Sequence, residues 1–472
     1  MDSTAVLSRS RSAWALALTS VAFFMGALDS LVVITALPAV HREIGGSLSA
    51  LEWTINAYTV ALAAGIITAA AIGDRLGRRR VYVAGLLLFS FASAMCAVAP
   101  NVETLIAARA VQGLGAAIIT PLSLTILTGA FPASRRGAIV GAWGGIGGLA
   151  VAVGPLIGGA VTQGLSWHWI FWVNVPIGIA AAVMSSLRLP ESWGAQTKLD
   201  VPGLLLLSSG AVSVLWGLIR STDVGWTSTE VVGALALGVV LIISFLAWEA
   251  RAQAPMLPLR LLTIGPFAAA TGTAFLMTGS IASAAFLASQ FFQLGLGYSP
   301  LETGLRFLPW TGTAFIIAPL AGRLSDRIGT RPLMVFGLLM NAAGLAWMSQ
   351  VAGAGVGYDR LVLPLVLGGV GISMALPTTP TAALGAVSPA DIGKASGVIN
   401  MLQRFGAAFA IAVVASVFAA NGHLGSAVSV SSGFKAATVV VAGMSAVGAV
   451  LALATARRRT ATTIPVEQLQ AA

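Results

Sequence analysis

Charge is what this 472-residue sequence has least of. Asp, Glu, Lys and Arg together make up 9% of it, against about 25% in soluble domains. So few charges cannot cover the surface of a soluble protein of this length. With 57% of residues hydrophobic, a lipid bilayer is the surrounding that suits the chain. Cysteine is nearly absent. Cys96 stands alone, which excludes an internal disulfide and a thiolate metal cage. It lies in an apolar run and reads as a small hydrophobe. Histidine is scarce too: His41, His168 and His423 lie at run ends or in loops without a helix-spaced partner, so no metal site is expected. No nucleophile–base pair or carboxylate cluster is present, so no catalytic residues and no enzyme are expected. No loop is long enough to hold a soluble domain. The net charge is +10, but the basic residues are spread over short loops rather than gathered into a nucleic-acid footprint.

What is present is a series of long apolar runs. Arg9 and Arg11 precede the first of them, as they would in a signal peptide. That run reaches from Ala13 to near Val40, far beyond a signal h-region of roughly 7–15 residues, and it holds Asp29 and Pro38. It reads as a membrane span that stays. A span needs about 20 mainly apolar residues, and fourteen runs qualify: 13–38, 50–72, 81–99, 104–129, 137–163, 167–187, 201–219, 230–248, 264–292, 301–322, 332–350, 361–384, 395–420 and 434–456. The expected fold is an all-α membrane protein of fourteen transmembrane helices.

Lys and Arg in the connecting loops set the orientation. Alternate loops hold Arg9, Arg11, Arg75, Arg78, Arg79, Arg80, Arg135, Arg136, Arg188, Lys198, Arg251, Arg260, Arg323, Arg327, Arg331, Lys394 and Arg457 to Arg459. The other set holds only Arg42, Arg220, Arg306, Arg360 and Lys435. The first set is expected to face the cytoplasm, with both termini on that side. That requires an even number of spans. Trp53, Trp167, Trp169, Trp172, Trp226 and Trp310 fall near run ends, where an aromatic belt is expected.

An internal repeat organises the runs. The loop after run two reads Gly73-Asp74-Arg75-Leu76-Gly77-Arg78-Arg79-Arg80. The loop after run ten reads Gly322-Arg323-Leu324-Ser325-Asp326-Arg327-Ile328-Gly329. Asp-Arg-x-Gly thus recurs eight spans later. Two six-helix halves would repeat it six spans later, so two inserted spans restore the register. Runs seven and eight, which hold no charge apart from Glu230 at the start of the second, are the candidates and look like lipid-facing additions. The expected units are a six-helix bundle over 1–190, the inserted pair with linkers over 191–260, and a second six-helix bundle with a cytoplasmic tail over 261–472. Parallel halves of this kind place a transport site near midplane between them. Physically, Asp-Arg-x-Gly is a clasp. Gly77 allows a tight turn, and Asp74 can cap a helix or pair with a neighbouring arginine. The alternative is a solvated basic loop that only sets topology.

Four motifs carry a resemblance that covers almost the whole chain. Run one reads Leu28-Asp29-Ser30-Leu31-Val32-Val33-Ile34-Thr35-Ala36-Leu37-Pro38, and run two opens Leu51-Glu52-Trp53-Thr54-Ile55-Asn56-Ala57-Tyr58. Run four reads Arg109-Ala110-Val111-Gln112-Gly113-Leu114-Gly115, and run five carries Gly141, Gly154-Pro155 and Gly158-Gly159. With the repeated loop, these resemble the fourteen-span drug:proton antiporters of the major facilitator superfamily. Leu31, Ile34, Ala70 and Ala150 stand where that branch usually has Thr, Asn, Gly and Gly. The resemblance implies a gate loop at Asp74, Arg75, Gly77 and Arg78, repeated at Gly322, Asp326, Arg327 and Gly329. It implies an antiporter motif at Gly154, Pro155, Gly158 and Gly159, associated with exporters. It implies a proton-coupled exporter of small amphipathic drugs or antibiotics in a bacterial inner membrane. An exporter of one metabolite, siderophore or lipid is the alternative.

Ionisable groups inside hydrocarbon are functional candidates by default. Asp29, Arg109 and Arg404 lie well inside runs. Glu52, Glu103, Glu249, Glu302 and Arg306 lie near run ends, where exposure is expected. Asp29 is the expected proton carrier, because desolvation and a nearby arginine act on a carboxyl in opposite directions. Arg109 stays charged and biases it. A static pair that only orders the bundle is the alternative. The substrate wall draws its candidates from Trp53, Asn56, Tyr58 and Gln112, and from Gln290, Gln293, Trp310, Asn400, Gln403 and Arg404. A greasy pocket with a few polar groups suits an amphipathic small molecule, although each of these residues would serve equally as a helix contact. Protons are the expected coupling ion, with no other cofactor. The expected partners are that small molecule and the bilayer, with no nucleic acid, and the chain is expected to act as a monomer.

Overall fold

A computed structural model describes residues 9–194, 200–253, 255, 257–388 and 391–456. Lys198 and Arg457 to Arg459 lie outside the described residues, as do the side chains of Arg9, Arg11, Arg135 and Arg136 and the surroundings of Gly141. The described residues form helices and no strands. A bilayer leaves little alternative, since every backbone N–H and C=O must be satisfied within the segment.

The first half comprises α1 (Arg9–Ile44), α2 (Leu48–Leu76), α3 (Arg78–Ala97), α4 (Val102–Gly129), α5 (Ala133–Gly164), the single turn α6 (Trp169–Trp172) and α7 (Asn174–Arg188). A hairpin follows, α8 (Val201–Val224) and α9 (Thr229–Glu249). The second half comprises the short α10 (Leu259–Leu262), α11 (Gly265–Gln290) with a π turn over Phe291–Gly295, α12 (Pro300–Thr311), α13 (Thr313–Ile328), α14 (Thr330–Val351), α15 (Asp359–Gly385), α16 (Ile392–Asn421) and α17 (Ala427–Ala452). Among the described residues, twelve segments are long and apolar enough to cross a membrane. The expected runs five and ten are not among those twelve. Run five is nonetheless one continuous 32-residue helix, α5. Run ten is broken into α12 and α13. Pro309 has no N–H to give the preceding turn, and Gly312 follows it at the break.

Two further departures have local causes. Run six is interrupted at Val173, with Pro176 in the first turn of α7, where a proline's missing N–H costs nothing. Lys435, expected in a loop, lies inside α17 and is exposed.

The hairpin is not simply a lipid-facing addition. Much of α9 is exposed, but α8 packs on both α2 and α16. It therefore bridges the first half to the second along one side. The Ser416 hydroxyl donates to the Leu218 carbonyl at 2.9 Å, and Trp216 lies against Trp53 with ring centroids 6.1 Å apart.

On the opposite side α5 meets α12 through glycine. A Cβ at Gly159 would lie 2.2 Å from the Pro300 carbonyl oxygen, and one at Gly304 would lie 2.5 Å from that of Pro155. Backbones this close exclude any side chain between them. Three hydrogen bonds join the halves at the same end of the bundle. Ser289 Oγ donates to the Ile34 carbonyl at 3.1 Å, Gln293 Nε2 to that of Thr35 at 2.8 Å, and the Leu301 N–H to Gln163 Oε1 at 3.1 Å. The π turn that follows α11 brings Gln293 to its partner, and such turns often mark functional positions.

Candidate functional site

The α2 N-terminus is fixed by Ser47, whose hydroxyl accepts from the Ala50 N–H, and the α4 N-terminus by Asn101, which accepts from the Thr104 N–H. Close packing then sets the depth of α4 against α2. A Cβ at Gly113 would lie 2.4 Å from the Tyr58 carbonyl oxygen. That approach carries Arg109 and Gln112 to α1, and both side chains are buried.

Asp29 is the centre of the site, with its side chain 1% exposed. Arg109 Nη1 donates to its Oδ2 at 2.5 Å. Its Oδ1 accepts from Gln112 Nε2 and from Asn174 Nδ2, each at 3.0 Å. Those two amides also donate to Ser93 Oγ, at 2.8 and 3.1 Å. Arg109 completes its own bonding through Nε to the Thr54 carbonyl at 3.0 Å and through Nη1 to Gln112 Oε1 at 2.6 Å. Its guanidinium lies 4.2 Å from the Tyr58 ring centroid and 5.8 Å from that of Phe171. The Tyr58 hydroxyl donates to the Gly26 carbonyl at 3.3 Å. Five spans of the first half therefore converge on one carboxylate and its arginine.

Asn174 and Ser93 were not among the sequence candidates. The signal for Asn174 was an amide two residues before a proline in an apolar run. Ser93 offered none.

The other candidates fall into separate places. Asn56 and Gln290 are fully buried in α2 and α11. Gln293 joins the halves, as described above. Trp53 lies against Trp216 of α8. Trp310 lines a small gap inside the second half with Gly344, Pro364 and Gly368. Asn400 donates to the Ser396 carbonyl of its own helix at 2.9 Å. Gln403 and Arg404 are partly buried on α16. Glu52 and Glu249, expected to be exposed, are buried.

The two gate loops differ. In the first, Arg78 Nε donates to Asp74 Oδ1 at 2.7 Å, and Gly77 turns the chain at φ +106°. Glu191 sits beneath the turn and accepts from the N–H groups of Arg79 and Arg80 at 2.9 and 3.3 Å. It therefore caps α3, where negative charge is favoured. Gly194 N–H donates to the Asp74 carbonyl and Arg78 N–H to that of Ser192. Arg75 is exposed. In the second loop Gly329 makes the equivalent turn at φ +85°, but Asp326 and Arg327 are exposed and form no ion pair among the described residues. Gly322 has open space around it. Among the described residues, neither loop touches the opposite half through an ion pair.

The antiporter-motif glycines lie where α5 crosses α1 and α12. A Cβ at Gly154 would meet Leu31, and one at Gly158 would meet Thr35 and the Val32 backbone. Gly159 meets Pro300, and the Pro155 carbonyl meets Gly304.

Two regions of the chain, residues 19–282 and 269–471, match the Major Facilitator Superfamily. The chain belongs to that family. Among its relatives it is 33% identical over 406 residues to the "Tetracenomycin C resistance and export protein" of Streptomyces glaucescens, covering 85% of this chain and 75% of that protein. It is 34% identical over 442 residues to the "Cephamycin export protein CmcT" of Amycolatopsis lactamdurans, covering 91% and 89%. It is 32% identical to the "Multidrug resistance protein Stp" of Mycobacterium tuberculosis, covering 85% and 75%. Solved facilitator structures share the fold. A peptide transporter superposes with a TM-score of 0.66 at 17% identity, covering 93% of both chains. A D-xylose–proton symporter superposes with a TM-score of 0.63 at 14% identity, covering 91% and 96%.

Proposed function

We propose that this facilitator is a proton-coupled antiporter that exports small amphipathic molecules from the bacterial cytoplasm by alternating access. The observation that carries it is Asp29, a carboxylate buried within the bundle and bonded to Arg109, Gln112 and Asn174. Its ionised form is matched to this arrangement of the helices. Protonation would remove the charge that holds Arg109, so proton binding and helix arrangement are linked. The relatives' names, with their references to drug resistance and export, support the direction and the kind of cargo.

The energetics are adequate. One proton moving through ~100 mV gives about 2.3 kcal/mol, and one pH unit adds about 1.4 kcal/mol. Together these sustain a gradient of several hundred-fold for a neutral molecule exchanged one for one.

The fourteen-span arrangement belongs to the same proposal, with both termini cytoplasmic and the chain acting as a monomer. It is supported by the 32-residue α5 and by α12 followed directly by α13, which add two crossings to the twelve apolar segments. The test is efflux of dyes and antibiotics from energised cells, with and without an uncoupler. Export that persists undiminished after the proton gradient is collapsed would refute coupling. One observation favours a narrower reading, an exporter of a single metabolite: the relatives from antibiotic producers are each named for one compound. A substrate panel in inside-out vesicles separates the two.

A further inference from the structure

Arg404 is a charge well inside a span that the proton-coupling network does not use. It lies a little under halfway along the Lys394–Asn421 span of α16. No carboxylate pairs with it among the described residues, and no hydrogen bond satisfies its guanidinium there. An arginine with no counter-charge inside a membrane bundle is costly to keep. It differs in this from Arg109, whose charge Asp29 balances.

The direction of its side chain follows from helix geometry. Gly397 packs against Ile67 of α2. Residues seven apart share a face of a helix, so Arg404 points the same way, two turns further along. The two helices run antiparallel, which brings Arg404 level with the Tyr58 region of α2. Tyr58 is a titratable neighbour of Arg404 there. Arg109 lies over that tyrosine's ring, 4.2 Å from its centroid. Arg404 thus stands on the seam between α2 and α16, level with Tyr58 and with no paired carboxylate among the described residues.

We propose that Arg404 is the counter-ion for an acidic group of the transported molecule, and that the preferred cargo is an anionic amphipath, a carboxylate or an acidic phenol. The guanidinium offers a planar fork of donors suited to such a group. The proposal rests on the exporter reading and narrows it. Its charge balance is definite. Moving one anion out and one proton in carries two positive charges inward per cycle, so export is driven by an inside-negative potential more strongly than for a neutral cargo.

The test uses two xanthene dyes of similar shape, fluorescein (anionic) and rhodamine 6G (cationic), with the purified full-length protein. Binding to the wild type in detergent comes first. Fluorescein is expected to bind at least tenfold tighter than rhodamine 6G, and preference for the cation would overturn the proposal. Transport into proteoliposomes driven by a proton gradient comes second. Arg404→Gln is expected to lose at least tenfold of fluorescein transport with rhodamine 6G nearly unchanged, and Arg404→Lys to recover part of the loss. Equal loss of both dyes would overturn the role of Arg404 while leaving the exporter reading intact. If the wild type moves neither dye, the broad exporter reading fails and only the single-metabolite reading stands. The binding preference, which needs no variant and no transport, still decides for or against the anion site.

Discussion

Arg109 and Asp29 meet at 2.5 Å with both side chains 1% exposed. The two residues lie eighty positions apart, on α1 and α4. Breaking a buried pair by removing one partner costs about 3–5 kcal/mol, whereas replacing both can be neutral. Asp29→Asn and Arg109→Gln are each expected to lower the melting temperature, and the double variant to recover much of the loss. All three are expected to lose uphill transport driven by a proton gradient. Asp29→Asn is expected to keep downhill exchange of substrate, because alternating access needs no proton once the charge is gone. Uphill transport at the wild-type rate by Asp29→Asn would remove it from the coupling role.

The first gate loop depends on a residue that lies outside its motif. Glu191 accepts from two N–H groups at the start of α3 and lies within 4 Å of the Arg79 and Arg80 side chains. Gly77 has no room for a side chain above it: a Cβ would lie 2.9 Å from the Glu191 carboxylate. Glu191→Ala is expected to destabilise the protein by about 1–2 kcal/mol, the scale of a lost helix cap. It is expected to raise hydrogen exchange at the start of α3. The second loop lacks such a clamp, so its exchange should be the faster in the wild type. Equal protection of the two loops would contradict this asymmetry.

Much of this was legible in the sequence, for identifiable reasons. Asp29, Arg109 and Gln112 stood out because polar groups are rare in apolar runs, and each proved to be in the network. The Asp-Arg-x-Gly repeat gave the two halves, and both its glycines take positive φ. Ser93 was silent because membrane serines commonly bond their own helix, as Ser90 does to the Leu86 carbonyl. Asn174 belongs to a helix that starts again after a break, and only the fold brings it to Asp29. The contact of Trp53 was not legible, because an apolar helix with a ring on one side packs equally well inward or against a neighbour. Here the neighbour is α8, whose role across α2 and α16 has no signature in an uncharged run.

A pH dependence follows from the loop before α16. Hydrogen bonds from Arg260 and Ser388 hold the Asp391 carboxyl below the usual carboxylate range, with the charges of Arg260 and Lys394 adding to the effect. A depressed value means that the contribution is present above the ordinary value of about 3.9. It is lost as pH falls through the lower value of the folded protein. Thermal stability is therefore expected to show no step from this pair between pH 8 and 5. The small deficit of Arg260→Met at neutral pH should vanish only in strong acid. A deficit that disappears between pH 7 and 6 would show that another group is titrating.

The glycines of α5 give the sharpest conformational test. Gly159 sits against the Pro300 carbonyl and the Leu301 backbone, where an added Cβ would lie 2.2–3.0 Å from backbone atoms that cannot rotate away. Gly164, five residues on, has open space around it. Overpacking of this kind costs about 1–3 kcal/mol, and the strain acts only in the arrangement where α5 and α12 touch. Gly159→Leu should therefore favour the opposite arrangement and slow transport at least tenfold, while Gly164→Leu should be near wild type. A cysteine at position 289 reads the change directly. Ser289 is fully buried and donates to the Ile34 carbonyl across the closed end, and the native Cys96 is itself buried, so background labelling is low. In nanodiscs, Ser289→Cys should react slowly with a bulky maleimide in the parent and in Gly164→Leu, and quickly once Gly159→Leu is added. Labelling that ignores the leucine at 159 would mean that this end of the bundle does not open by separating α5 from α12.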